Sequence, residues 1–430
     1  MCEPQASPRR CTLTSQQSQN DSWLSRLEDH LKRARYSPQV ARRCAVRARQ
    51  FLAYLHKRHI VLEATQPSDV NLYLRNKLEL FRQRHQRAPK SPMVDWRSSH
   101  AAGIHMLLRL VKGRWPPTPI PSTPREVFHQ QVCQEYDRWM SDLCGLAPNT
   151  RSCRCAEASR FLIWLEQRSG SRNLIDITGV EIDAYTRFRA TSLCRRTLRN
   201  HATEMRSFVR FLHSSGRVAH DLSTEVIGPR CYAFEDIPSS LRPEEVRAVV
   251  ETTQKDRSRE GRRDYAILML LSIYGLRAGE ITTLRLEDVD WRSEVLRIRQ
   301  SKTGIHSQLP LLPTVGNAIL DYLRKGRPKA SAREIFIRHH APYGPFRSGC
   351  SLYWLIRNRL TAAGIDRPSK QGPHSFRHTR AVSMLRAGVP LKEIGDVLGH
   401  RSAASTTAYL KLATEDLRGV ALEVPAEVKA

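Results

Sequence analysis

The chain has 430 residues, which exceeds one ordinary domain and suits two or three. It carries 70 Lys and Arg against 42 Asp and Glu, a formal net charge of +28, so a polyanion such as nucleic acid is the expected partner. No apolar run approaches the roughly 18 residues of a membrane span, and the polar N-terminus has no signal-peptide core, which disfavours the membrane and secreted classes.

The N-terminal part of the chain is predicted to be helical. Residues 1–20 are polar and are expected to form a tail, whereas residues 21–112 place apolar side chains at helical spacing. One apolar face is marked by Val46, Phe51, Leu52 and Leu55. Residues 113–125 are rich in proline, which fixes φ and removes backbone donors, so they are predicted to form an extended linker.

A second helical segment, residues 126–220, repeats features of the first. Pro148, Phe161, Leu162 and Leu165 stand 110 positions after Pro38, Phe51, Leu52 and Leu55. After a short insertion, Asp69-Val70 and Tyr73 match Glu181-Ile182 and Tyr185. Any two amphipathic helices can be slid into partial register, but the aligned proline and the second matched block favour a duplicated all-helical module.

The last part of the chain has a different character. Residues 221–240 are interpreted as a linker, residues 241–415 as a domain, and residues 416–430 as a C-terminal tail. The whole chain is therefore expected to be mainly α with a small β-sheet. The elements predicted in the last domain are a helix opening at Pro243, a buried helix over 264–274 closed by Gly275, strands at 295–299 and 307–311 around a polar turn at 301–304, and helices onward to about residue 422.

Four separated features of this domain carry charged or nucleophilic side chains. They are Gly275-Leu276-Arg277-Ala278-Gly279-Glu280, then Lys302 in the hairpin turn, then Pro373-His374-Ser375-Phe376-Arg377-His378, and finally Leu398-Gly399-His400 with Tyr409 nine residues later. Over about residues 240–412 this pattern resembles the tyrosine recombinases, the phage integrase family. Each motif alone is weak, whereas all of them in this order and spacing form a specific signal.

The resemblance implies both a fold and a set of site residues. It implies helical SAM-like DNA-binding modules followed by a tyrosine-recombinase catalytic domain, and residues 126–220 are similar to the family's core-binding domain. The catalytic residues it implies are Arg277, Lys302, His374, Arg377, His400 and Tyr409, with Glu280 in support. The module at 21–112 lies outside the minimal family pattern.

The chemistry of these residue types fits covalent cleavage of a phosphodiester. That reaction needs a nucleophile, cations around an anionic pentavalent phosphorus, and a proton for the leaving 5′ oxygen. Tyr409 would attack and hold the DNA as a 3′-phosphotyrosine, and positive charge must assist its deprotonation because its reference pKa is about 10. Arg277 and Arg377 would clamp the nonbridging oxygens with their permanently charged guanidinium groups.

The remaining site residues would handle protons and orientation. His374 and Arg377 stand at i and i+3, so a helix presents both on one face, and His374 is the candidate acid/base. Lys302 would protonate the leaving oxygen, His400 would donate to the phosphate, and Glu280 would support the His or Arg groups.

Each of these residues also has an ordinary structural interpretation, such as a surface arginine, an exposed turn lysine or a core tyrosine. His374 and His378 could form a metal pair, but no acidic third ligand follows at a usual spacing. The ten cysteines are scattered apart from Cys153-Arg154-Cys155, which does not make a zinc site. There is no phosphate-binding glycine loop and no carboxylate cluster for Mg²⁺, so no metal, ATP or other cofactor is expected.

The sequence therefore predicts a cytoplasmic site-specific recombinase or integrase of a bacterial mobile element. Its expected partners are double-stranded DNA and further recombinase subunits in a tetramer on DNA, without a membrane or a small-molecule cofactor. A type IB topoisomerase is the nearest alternative, and it would relax supercoils as a monomer without a specific site. A non-catalytic DNA-binding regulator of the same fold is the other, and it would form no covalent DNA adduct.

Overall fold

The computed structural model describes residues 8–89, 92–117, 120–169, 174–230, 232, 240–299, 306–366, 371–399 and 406. These residues confirm the expected fold class, because they are mainly helical with one small antiparallel sheet. They form two compact units, one made of the N-terminal helices and the C-terminal domain, the other of the segment between them. None of the helices in these ranges combines the length and apolar content that a bilayer span requires.

The first module packs four helices around an apolar core that includes Phe51, Ile104 and Leu107, none of which is exposed. Helix α2 begins where the Ser37 hydroxyl accepts a hydrogen bond from the Val40 N–H at 3.4 Å. The helices are α1 (Pro8–Arg33), α2 (Pro38–Lys57), α3 (Pro67–His85) and α4 (Met93–Lys112), with a 3-10 turn over Leu62–Ala64.

The polar tail predicted at residues 1–20 is wrong in part, because α1 already begins at Pro8. Leu24, Leu27 and Leu31 bury α1 in the core of the first module. Once a helix is anchored in this way, each added residue gains a backbone hydrogen bond, and no apolar side chain is needed to extend it. A search for apolar periodicity therefore misses the first turns of α1.

The second module has the same order of elements. Its core includes Tyr136, Phe161, Tyr185 and Phe208, all buried. The helices are α5 (Pro124–Asp142), α6 (Pro148–Ser169), α7 (Gly179–Ala190) and α8 (Arg195–Ser214), with a 3-10 turn over Leu174–Asp176.

Aromatic packing in the two modules is nearly the same at matched positions. The rings of Phe51 and Tyr73 lie 5.2 Å apart at 72°, and those of Phe161 and Tyr185 lie 5.1 Å apart at 67°. Both pairs are therefore edge-to-face contacts between the second and third helices of their modules. This agreement supports the hypothesis that one module is a duplicate of the other.

The C-terminal domain surrounds a helix, α10, that is buried without interruption from Ala266 to Leu271. Its sheet has the order β1-β2-β3, all antiparallel, and Leu296 lies opposite Leu309 in the β2–β3 ladder. The elements are α9 (Pro243–Lys255), α10 (Arg259–Tyr274), α11 (Ala278–Thr283), β1 (Val289–Asp290), β2 (Val295–Arg299), β3 (His306–Pro310), α12 (Pro313–Asp321) with a π turn over Tyr322–Gly326, α13 (Ser351–Ala362), α14 (Pro373–Arg386) and α15 (Leu391–Leu398).

The expectation of continuous helix after the strand pair is wrong between residues 327 and 350. This segment is irregular and makes isolated bridges that pair Arg285 with Glu334 and Ile337 with Pro345. It contains Pro328, Pro342, Gly344 and Pro345, which interrupt helical hydrogen bonding. Its apolar residues 335–337 are nevertheless buried, so the segment fills the core in an extended form. Strand β1 was also not predicted, because it is only two residues long.

Candidate active site

The structure describes four of the seven predicted site residues. Arg277, Glu280 and Arg377 come together where α10, α11, α14 and α15 meet, and His374 lies one turn before Arg377 on α14. The predicted residues that lie outside the described residues are Lys302, His400 and Tyr409.

A close approach of backbone segments creates the junction. Gly275 ends α10 in the left-handed conformation, at a φ of +65°. A Cβ atom there would lie 2.9 Å from a methyl carbon of Leu398 and 3.4 Å from the Cβ atom of Arg380. Glycine is therefore required both for the turn and for the contact of α10 with α14 and α15.

Arg277 stands directly before α11 and is held by Glu280. The backbone N–H of Arg277 donates to Oε2 of Glu280 at 2.7 Å, and its Nη1 donates to Oε1 at 2.8 Å. Only 3% of the Glu280 side chain is exposed, against 19% for Arg277. One buried carboxylate thus satisfies an orphan N–H of the helix and fixes the direction of the guanidinium group.

The two arginines bind adjacent carbonyl groups. Arg377 is buried, and its Nη1 donates to the Gly275 carbonyl at 2.8 Å while its Nη2 donates to the Leu398 carbonyl. Nη2 of Arg277 donates to the next carbonyl, that of Gly399, at 2.9 Å. These carbonyls belong to the C-terminal end of α15, where the helix dipole is negative and cations are favoured. Two guanidinium groups therefore lie together directly before position 400.

His374 differs from Arg377 in exposure, although both lie in the first two turns of α14. Its side chain is exposed, whereas Arg377 is buried. The rings of His374 and His378 are 6.2 Å apart. Burial, together with the nearby charges of His374 and Arg377, lowers the pKa of His378 to about 4, so His378 is neutral at pH 7. The exposed His374 is the ring of this pair that is open to a substrate.

The side chains of this junction suit an anion. The junction holds two guanidinium groups and one carboxylate, and only Arg277 is shown to contact that carboxylate. A guanidinium group has five N–H donors, of which the side-chain contacts above use two for Arg277. Across the described ranges, no group of three His, Cys, Asp or Glu side chains is placed to hold a metal ion. Arg277, the partly exposed member of the pair, therefore has N–H donors left for an anionic ligand.

The sequence points to the two arginines and to Glu280 as their support, but not to the backbone carbonyls that the arginines bind. The contact of Arg377 with Gly275 joins residues 102 positions apart, and no local pattern predicts it. The signals that were available are the two helix-ending glycines, because Gly275 and Gly399 both adopt the left-handed conformation and each carries a carbonyl that an arginine binds.

A second buried polar cluster, which the sequence did not predict, lies in the second module. The carboxylate of Glu157, on α6, accepts hydrogen bonds from the Tyr185 hydroxyl at 2.7 Å and from Nδ1 of His201 at 3.0 Å. Arg160 and Arg189 pair with the same carboxylate at 2.5 and 3.0 Å. Burial alone would raise the pKa of Glu157, but these partners outweigh it and lower the pKa to about 2.

Comparison with known proteins agrees with this geometry. Residues 239–416 match the model of the phage integrase family. The chain is 53% identical over 189 residues to y4gC of Sinorhizobium fredii (strain NBRC 101917 / NGR234), named as an integrase/recombinase, covering 44% of this chain and 97% of y4gC. It is 33% identical over 300 residues to y4rA of the same strain, also named as an integrase/recombinase, covering 70% of this chain and 72% of y4rA.

Among solved structures, the XerH site-specific recombinase, bound to palindromic difH substrate in a post-cleavage complex, has a similar fold. The TM-score is 0.55 at 14% identity, over 69% of this chain and 87% of XerH. The chain therefore belongs to the phage integrase family, the tyrosine recombinases.

Proposed function

We propose that this protein is a site-specific DNA recombinase that cleaves and rejoins DNA through a 3′-phosphotyrosine at Tyr409. The observation that carries the proposal is the convergence of Arg277 and Arg377 on adjacent carbonyls immediately before His400. A clamp of this kind is required at a scissile phosphate, and the segment that leads to Tyr409 begins at the same point.

The arginines would act on the charge that develops during the reaction. Attack by the Tyr409 oxygen on phosphorus makes a pentavalent transition state with increased charge on the nonbridging oxygens. Arg277 retains N–H donors beyond those bound to Glu280 and Gly399, and part of its side chain reaches solvent. Glu280 holds this group in one orientation, which removes the need for reorganisation when the charge appears.

The proton transfers that this reaction needs define the roles that we propose for the other site residues. Tyr409 gives its proton to His374 as its oxygen bonds to phosphorus, and the bond from phosphorus to the 5′ oxygen breaks. Lys302 supplies a proton to the departing 5′ oxygen, and His400 donates a hydrogen bond to the phosphate. The phosphotyrosine conserves the energy of the broken bond, so rejoining is the same sequence in reverse and consumes no ATP or metal ion.

The wider role follows from the relatives and from charge. Proteins named as integrases or recombinases cover much of this chain, which supports action in integration or transposition of a mobile element. The related XerH structure is named as a complex with its difH substrate, and the net charge of +28 here suits double-stranded DNA. Strand exchange between two sites requires several subunits, and we propose a tetramer on paired sites.

The Tyr409→Phe variant tests the nucleophile. The variant lacks only the hydroxyl, so it is expected to bind its DNA with unchanged affinity and to lose all cleavage. The wild-type protein on a nicked suicide substrate is expected to give a protein–DNA adduct that survives denaturation. Peptide mapping of that adduct should locate the DNA on Tyr409.

Tyr343→Phe is the matched control, because it removes a hydroxyl from the same domain and is expected to cleave normally. Attachment of DNA to any residue other than Tyr409 would refute the assignment. Relaxation of supercoils by a monomer at random sites would favour a type IB topoisomerase instead. Binding without any adduct would favour a non-catalytic regulator.

A further inference from the structure

The first module contains an open cleft that the second module lacks the sequence to form. Helix α3 is 19 residues long, whereas the matching helix α7 has 12, and the added turns lie at the C-terminal end of α3. These turns and the start of α4 enclose a cleft of ≈ 640 Å³. Its walls include Lys77, Phe81, Arg84, His85, Trp96 and His100.

Aromatic rings form one wall of this cleft. The ring of Phe81 lies 4.5 Å from that of His85 and 6.5 Å from that of Trp96, which in turn stacks on His100 at 4.1 Å. Leu80 beside them is 58% exposed. Phe81 and His85 therefore offer tilted aromatic faces that reach solvent, backed by the buried ring of Trp96.

Comparison of the two modules shows a reversal of charge next to this wall. Position 47 on α2 corresponds to position 157 on α6, in register with the buried alanines at 48 and 158. The buried Glu157 at the centre of the second module is thus replaced by Arg47. Its partners have counterparts in the first module, since Tyr185, Arg189 and His201 correspond to Tyr73, Lys77 and His100.

Without that carboxylate, the first module brings basic side chains together without an acidic partner among the residues that line the cleft. Burial, and then the charge of Arg43, lowers the pKa of Arg47, while burial and the charges of Arg47 and Lys77 lower the pKa of His100. Lys77 donates to the neutral amide oxygen of Gln50 at 3.2 Å. None of the described side chains that line the cleft is a carboxylate. A bound anion beside Lys77 would therefore supply the negative charge that Glu157 supplies in the second module.

We propose that this cleft binds an unpaired nucleotide of single-stranded DNA, with its phosphate on Lys77 and Arg84 and its base against Phe81 and His85. A duplex presents the same phosphates, but its bases are stacked inside the helix and would leave the aromatic wall empty. An unpaired nucleotide would place its base on the aromatic wall and its phosphate on the basic side chains. Proteins that bind single strands combine a basic groove with aromatic platforms in this way. This inference concerns the first module alone and goes beyond the cleavage chemistry proposed above.

Photocrosslinking tests the location. The full-length protein is irradiated with a single-stranded oligonucleotide that carries 5-iododeoxyuridine, and the adducts are mapped by mass spectrometry. The expected adduct lies in the peptides that hold Phe81, His85 or Trp96, and it should resist an excess of unlabelled duplex. Competition by deoxynucleoside monophosphate distinguishes a free nucleotide from a strand, because a strand is expected to compete far better. Adducts found only in other parts of the chain would overturn the proposal.

Three variants test the aromatic ring and the basic side chain of the cleft separately. Phe81→Leu keeps an apolar side chain but removes the ring, and it is expected to weaken single-strand binding about five-fold or more without changing the salt dependence. Lys77→Gln is expected to make the slope of log K against log salt shallower by about 0.7, one single-strand phosphate contact. Lys57→Gln, an exposed lysine on α2 of the same module, is the matched control and should change neither quantity.

A fourth variant makes the first module resemble the second. Arg47→Glu restores a carboxylate at the position of Glu157 and should abolish crosslinking in the cleft, whereas Arg47→Gln should reduce it less. Thermal denaturation checks that each variant is folded. Equal losses for single-stranded and duplex DNA in the Phe81→Leu variant would contradict the proposal. The Phe81→Leu variant should still form the Tyr409 adduct, which shows that any loss of single-strand binding is independent of the proposed cleavage function.

Discussion

Arg277 and Arg377 lie at one junction but differ in burial and in the groups that they bind. Arg377 is buried and binds only backbone carbonyls among the contacts described above, so it helps to hold α10 and α15 together. Arg277 is partly exposed and balanced by the buried Glu280. A loss of activity at either position therefore combines a structural and a chemical effect. For Arg277, a double variant that also changes Glu280 separates the two effects.

Arg277→Ala is expected to lower single-turnover cleavage by roughly 10²-fold or more, as for loss of a transition-state donor. It should also lower the free energy of unfolding by about 2–3 kcal/mol, because the buried Glu280 carboxylate keeps its backbone N–H donor but loses its guanidinium partner. Adding Glu280→Gln should restore part of that stability but none of the cleavage. Arg377→Ala should lose cleavage to a similar extent.

Thermal denaturation and cleavage kinetics on the same preparations check this prediction. DNA affinity should change little, because a net charge of +28 leaves many other basic residues to bind the phosphates. If the double variant regained cleavage along with stability, Arg277 would be acting through folding alone. A requirement for Mg²⁺ in the wild-type reaction would also contradict the clamp.

At the scale of elements, the buried cluster on α6, α7 and α8 makes the second module sensitive to acid. Folding lowers the pKa of Glu157 from 4.5 to about 2, so its stabilising effect is complete above about pH 4.5 and is lost as the pH falls toward 2. A shift of this size corresponds to about 3 kcal/mol. The melting temperature of the module is therefore expected to fall steeply across that interval.

Glu157→Gln measures this contribution directly. The variant should be less stable than the wild type at pH 7, and the difference between the two melting temperatures should shrink as the pH is lowered from 5 to 2. Circular dichroism of both proteins at each pH is sufficient. A constant difference across this range would show that the Glu157 carboxylate does not govern the acid response.

Local sequence predicted the elements that depend on local physics. The end of α10 follows from Gly275, and the β2–β3 pair follows from alternation around a polar turn. The segment at 327–350 was missed because apolar residues in an irregular chain have no period to detect. The sequence pattern indicated Arg277, Arg377 and the supporting Glu280, but not the contacts of the arginines with backbone carbonyls, because each of those contacts joins elements that are distant in sequence.

At the scale of the whole molecule, the charge of +28 is spread over both helical modules and the C-terminal domain. Duplex binding is expected to weaken linearly on a log–log plot against salt, with a slope of about −0.9 for each phosphate contacted. A chain lacking residues 1–117 should have a shallower slope if the first module contacts duplex DNA. Fluorescence anisotropy between about 50 and 200 mM salt measures both slopes. An affinity that is independent of salt would refute the electrostatic account.

The contacts of the two arginines with the end of α15 also bear on when the enzyme is active. Arg277 and Arg377 bind the carbonyls of Gly399 and Leu398, and the chain continues from there to His400 and Tyr409. If Tyr409 is the nucleophile proposed above, a movement of it that pulled on Gly399 would release Arg277 at the same moment. The proposed nucleophile and the proposed phosphate clamp would then lose their active arrangement in one step.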